Sequence, residues 1–148
     1  MTSLLLVLFL SLANSDLSSV RSLYQEASKD EAKANQLLAI ADRNSPISSV
    51  FTGYKGAAKI VMAKHAFNPY TKWMLFSEGR NTLDSAIASD ANNVELIYLR
   101  LTIQMNAPNF LGYKSDIESD RVFLKNNINQ VNDEELQMLV KNYLLRIE

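Results

Sequence analysis

A chain of 148 residues with a formal net charge of −1 is long enough to bury a sizeable core as one domain. It lacks the basic surplus that nucleic-acid binding or a polybasic membrane surface requires. It has no cysteine, so disulfides, thiolate metal sites and cysteine lipidation are excluded, and stability has to come from packing.

The chain opens on "MTSLLLVLFLSLANSD", an apolar run from Leu4 to Leu10 extended to Leu12, followed by Ala13 and Ser15 at cleavage-site spacing. Residues 1–15 are expected to be a secretory signal peptide cut after Ser15, although no Lys or Arg precedes the run. The run falls short of the roughly 20 residues of a transmembrane helix, and the alternative is a buried N-terminal helix. The protein is therefore expected outside the cytoplasm, periplasmic or secreted, with no membrane span left after cleavage.

Residues 16–148 read as a single all-α domain of about seven helices, without sustained period-two alternation. The first covers about 17–28, with Leu17, Val20, Tyr24 and Ala27 on one face. The second covers about 30–43, with Ala34, Leu37, Leu38 and Ala41 inward. Ser45-Pro46 has the form of a cap followed by a first-turn proline, so the third helix is expected over about 46–66, burying Ile47, Val50, Phe51, Tyr54, Ala58, Val61 and Met62. Asn68-Pro69 repeats the device and opens a fourth helix that runs to about Ser89. The fifth begins where Asn92 and Glu95 have capping-box spacing and ends near Asn106. Val94, Ile97, Tyr98, Leu101 and Met105 lie on one side of it and Leu96, Leu99 and Ile103 on the other, the pattern of a helix sandwiched between layers. The sixth spans about 113–129, and the seventh runs from Asn132 to the end.

Two stretches repeat a spacing. Ala34, Leu38, Ala41 and Pro46 share their offsets with Gly79, Leu83, Ala86 and Ala91. This resembles the second helix of a tetratricopeptide repeat, and the chain as a whole resembles small exported proteins of Gram-negative bacteria. The resemblance covers two half-repeats about 45 residues apart, wider than the regular ~34. It implies antiparallel helical hairpins stacked in a tetratricopeptide-like array.

The side chains that could carry chemistry have plainer readings. His65 is the sole histidine, on an apolar face without metal-ligand partners at helical spacing, and reads as structural. Asp116, Glu118 and Asp120 form no calcium loop and read as a solvated face or caps, as do Asp133, Glu134 and Glu135 at a helix start. Gly53, Gly56, Ala57 and Ala58 lack the strand–loop–helix context of a phosphate loop and read as a surface for close helix packing. Lys55, Lys59 and Lys64 read as solvated. Arg80 sits at the edge of an apolar face. Arg100 shares a thin polar stripe of the fifth helix with Gln104 and needs an acceptor; an internal ion pair with Asp90 or Asp120 outweighs carboxylate binding in a groove. In "NAPNFLGYKSD", Phe110 and Leu111 are expected to plug a corner, with Gly112 supplying its backbone angle and Tyr113 starting the next face.

No catalytic, cofactor or metal residues are assigned, and no enzyme is expected. Leu75, Phe76, Gly79, Leu83, Ala86 and Ile87 share the inward face of the fourth helix, whereas Tyr70, Trp73 and Met74 lie largely off it. With Arg100 and Tyr113, these three are the candidate contacts for a protein or peptide partner, since aromatics are common binding anchors. The function expected is an exported scaffold or adaptor. The alternatives are a carrier holding an amphiphile in an apolar groove and, behind it, a hydrolase without a recognisable signature.

Overall fold

Caps decide where the helices begin. The computed structural model describes residues 2–148, and these hold seven α-helices and two 3-10 turns, with no strand among the described residues. The fold is all-α. The helices are α1 (Thr2–Ala27), α2 (Glu31–Asn44), α3 (Ser49–His65), α4 (Pro69–Ser89), α5 (Val94–Asn106), α6 (Ile117–Asn127) and α7 (Glu134–Ile147). Asp30 opens α2 by accepting a hydrogen bond from the Lys33 N–H, as Asn68 does for α4 from the N–H groups of Tyr70 and Thr71.

Several starts differ from expectation, and α6 begins at Ile117 where about Tyr113 was expected. Pro46 does not begin α3. It sits in a turn closed by Ile47 N–H on the Asn44 carbonyl, Ser48 is the extended N-cap residue, and the Thr52 hydroxyl reaches the Ser45 carbonyl at 2.9 Å. Ile47, assigned to the core, is consequently 73% exposed. The caps of α5 and α7 fall one residue later than expected, on Asn93 and Asp133, because those side chains reach the second or third free N–H of their helices.

The backbone divides into two compact units, one ending at Ser85 and the other starting at Ala86. In the first unit, α1 pairs with α2, α2 with α3, and α1 also meets α3. Val20, Ala27, Ala34, Leu37, Ala41, Phe51, Tyr54, Ala57 and Ala58 are buried, and Tyr24 meets the Tyr54 ring edge-on at 5.9 Å. α4 crosses α3 where two glycines meet. A Cβ on Gly56 would stand 2.6 Å from the Gly79 carbonyl oxygen, and one on Gly79 would stand 2.5 Å from that of Gly56. The small-residue stretch thus serves close helix packing, as its composition indicated.

α1 is longer than expected. It continues through both halves of the N-terminal sequence, and from Ser3 to Ala27 it is long and apolar enough, by length and composition, to cross a membrane. Leu4 to Leu12 are exposed, so this segment is not a core helix. Burial begins at Asp16. There the carboxylate accepts from Arg43 at 3.2 Å and from the Asn44 amide at 2.9 Å, fixing α1 to the end of α2.

In the second unit, α5 packs on α6, and α6 on α7. From Glu95 to Gln104 every residue of α5 except Arg100 is buried, the pattern of a helix enclosed on both apolar sides. Tyr98 meets Tyr143 of α7 edge-on at 5.7 Å.

Candidate interaction surface

The end of α3 and the start of α4 form a corner. His65 closes α3, and its Nε2 donates to the Ala27 carbonyl at the end of α1, 2.7 Å away. That bond anchors the corner and explains the lone histidine as a helix-end clamp. Beyond it the chain turns outward. Phe67 is 99% exposed, and Asn68 caps α4 as described. Tyr70 and Trp73, one helical turn apart, lie side by side with ring centroids 6.4 Å apart and remain 68% and 61% exposed. Met74 beside them is half-buried. The inward face of α4 closes without them, through Phe76, Gly79, Leu83, Ala86 and Ile87.

The stretch of sequence that forms this corner carries charge of one sign. Between Asp42 and Glu78 the chain has no acidic residue, and it carries Arg43, Lys55, Lys59, Lys64 and Lys72. Three of these cations are engaged: Arg43 by Asp16, Lys55 by Asp42 at 2.6 Å and Lys59 by Glu78 at 3.0 Å. The exposed pair Lys64 and Lys72, which flank the aromatics in sequence, carries no ion pair among the described residues.

Arg100 and Tyr113 lie elsewhere, in the second unit. The Arg100 Nε and Nη2 atoms donate to the two oxygens of Asp120 at 2.8 and 2.6 Å, a forked pair. Asp120 is buried, so its reading as part of a solvated face is overturned. Burial pushes its carboxyl above the ordinary range, with Arg100 pulling it partly back, while the hydrogen bond to Asp120 holds the Arg100 guanidinium more firmly charged. Gln104, fully buried, completes the network. Its amide donates to Asp116 at 2.9 Å and its carbonyl accepts the Asp116 N–H at 3.0 Å, fixing the first turn of α6. Sequence reasoning missed this role, although Gln104 lay on the same thin polar stripe as Arg100. Arg80, the other arginine weighed, lies 3.6 Å from Asp84 on its own helix.

Tyr113 is 3% exposed and offers a partner no surface. Gly112 takes the left-handed conformation at φ 61° as expected, after a 3-10 turn over Asn109–Leu111. The plug expected there does not form: Phe110 at the turn's tip is 87% exposed and Leu111 is half-buried, whereas Tyr113 is buried. A three-residue turn carries Phe110 outward, so its apolar character did not decide its place.

The groove between α1 and α2 is open and mixed in character, about 690 Å³, lined by Ser15, Ser18, Ser19, Ser22 and Gln36 together with Leu23 and Ile40. Among the described residues no group of three His, Asp or Glu side chains could hold a metal ion. No family model matches the chain, and neither a curated protein nor a solved structure matches it.

Proposed function

We propose that the protein is an exported, non-enzymatic scaffold or adaptor that holds a protein or peptide partner at the α3–α4 corner. The observation that carries this reading is the exposed Tyr70–Trp73 ring pair, preceded in sequence by exposed Phe67, on a helix whose inward face is complete without them. Large, rigid aromatics left in water are the usual anchors of an interface. The tetratricopeptide-like arrangement is part of the proposal. It draws support from burial of the small residues Ala34, Ala41, Gly79 and Ala86 and of Leu83 at the repeated spacing. Export draws support from the exposed apolar stretch that ends where Asp16 begins the packed helix. The α1–α2 groove is open, and an amphiphile carrier draws no support from it because it needs an apolar enclosure.

Trp73→Ala tests the reading. With Trp73 as an anchor, a partner recovered with the protein from envelope fractions should bind about 2 kcal/mol more weakly, with the melting midpoint nearly unchanged. A strongly destabilised variant would make Trp73 a core residue, and full binding by a stable one would remove the corner from the site.

A further inference from the structure

Four side chains of the second unit come together with hydrogen-bond donors left over. Tyr98 of α5, buried, and Tyr143 of α7, half-buried, meet edge to face at 5.7 Å. The Arg146 guanidinium lies 5.5 Å from the centre of the Tyr143 ring. Arg121 approaches Tyr143 from α6, the helix packed on α7. Its Nη1 donates to Glu118 at 3.2 Å, while its Nε is buried without an acceptor. Among the described residues Arg146 forms no ion pair, and neither phenol hydroxyl has a hydrogen-bond partner.

Burial raises both phenols above their ordinary range, so at neutral pH each keeps its proton and can donate it. Arg146 opposes that rise at both phenols, and Arg121 opposes it at Tyr143, so both guanidiniums act at the hydroxyl end of the rings. A buried guanidinium N–H without an acceptor is costly. The acids nearby do not answer it. Glu118 takes Nη1 only and is 79% exposed, a contact that water weakens and a ligand can displace. Glu148 is paired with Lys125, and Glu95 acts on Tyr98.

We propose that Arg121, Arg146, Tyr98 and Tyr143 form a binding site for a singly charged carboxylate, either a small free acid or the carboxyl end of a peptide. The inference does not rest on the adaptor reading. Two guanidiniums and two phenols offer donors to one place, so the ligand has to accept several hydrogen bonds at once. A planar carboxylate does so, and the arginine fork matches its geometry. The surroundings select the charge. Glu95, Glu118 and Glu148 offset Arg121, Arg146 and Lys125, which leaves no surplus for a doubly charged phosphate. Recognition therefore comes from directed hydrogen bonds, out of reach of most water, where they are stronger.

The Arg121 Nε–H gives its own signal in a proton–nitrogen NMR spectrum, assigned by its loss in Arg121→Lys. Titration with acetate should shift that signal to saturation, beyond any shift from chloride at equal ionic strength. Tyr143→Phe keeps the ring and removes only the hydroxyl. It and Arg146→Gln should each weaken acetate roughly tenfold, the effect of one hydrogen bond to a charged group, with the melting midpoint nearly unchanged. Tyr98→Phe gives a second hydroxyl deletion with the same expected loss. An acetate shift no larger than chloride's would overturn the site, as would a saturable one that all three variants leave intact. Inorganic phosphate binding more tightly than acetate would overturn the choice of a carboxylate. N-Acetylalanine and its neutral amide separate the two sources. Tighter binding of the acid than of acetate supports a peptide end and equal binding a small free acid, while binding of the amide would overturn the proposal.

Discussion

Gly56 and Gly79 reverse an ordinary expectation. Replacing an interior helix glycine with alanine gains about 1 kcal/mol from propensity. Here each new methyl would press on the carbonyl oxygen of the facing helix, and backbone cannot yield as a flexible side chain does. Gly56→Ala and Gly79→Ala are each expected to lower stability by about 1–3 kcal/mol in urea denaturation; a gain at both would mean the two helices part freely. Tyr98 sets an alkaline limit. Burial pushes its phenol up to about 12, with Tyr143 adding to the rise and Arg146 opposing it. The unfolded phenol loses its proton near pH 10, so between that pH and about 12 the folded state keeps a proton that the unfolded chain releases. This contribution is complete below pH 10 and lost as pH rises through the folded value, about 3 kcal/mol in all. Unfolding midpoints measured from pH 8 to 12 should fall more steeply in the native protein than in Tyr98→Phe, and equal slopes would remove Tyr98 from the account. Single residues were legible where chemistry forced a partner. Arg100 had to find a carboxylate and found Asp120. Gln104 was not, because a neutral amide announces no obligatory partner.

At the scale of the helix, α5 is the strictest test of pattern reading. Its apolar residues on two opposite sides called for enclosure, and Leu99 and Leu101 are both fully buried. Leu99→Ala and Leu101→Ala are each expected to cost about 2–5 kcal/mol in denaturant melts, and losses below about 1 kcal/mol at both sites would mean the helix does not carry the core. The inward face of α4 was equally readable, since 3.6-residue periodicity and burial are one phenomenon. Helix starts were less readable where several capping residues compete. In "ANNVE" and "VNDEE" two adjacent side chains can each cap, and geometry chose the second. In "NSPISS" proline closed a turn instead of opening a helix. Phe110 was misplaced because a tight turn fixes where a side chain points, whatever its hydropathy.

Over the whole molecule, periodicity gave the all-α class and composition the apolar N-terminal segment, and the division at Ser85 left no trace in sequence because it falls inside the continuous helix α4. The corner was legible in part: Tyr70 and Trp73 lay off the apolar face, whereas the exposure of Phe67 needed the turn itself. If the apolar stretch is a signal sequence, sequencing of the exported protein should find Asp16 first, the residue whose carboxylate holds Arg43 and Asn44. Intact Met1 on a membrane-bound form would make the stretch an anchor instead. The pairing of helices that are neighbours in sequence has a consequence in time. The long-range bonds that tie neighbours span 27 residues from Asp16 to Arg43 and 20 from Arg100 to Asp120, and the one from Ala27 to His65, which joins α1 to α3, spans 38. A topology of such short loops belongs to the fast folders, on the order of milliseconds or less. A chain emerging N-terminus first can close each hairpin as its second helix arrives, before the remainder has been synthesised, and without a cysteine it waits for no oxidant.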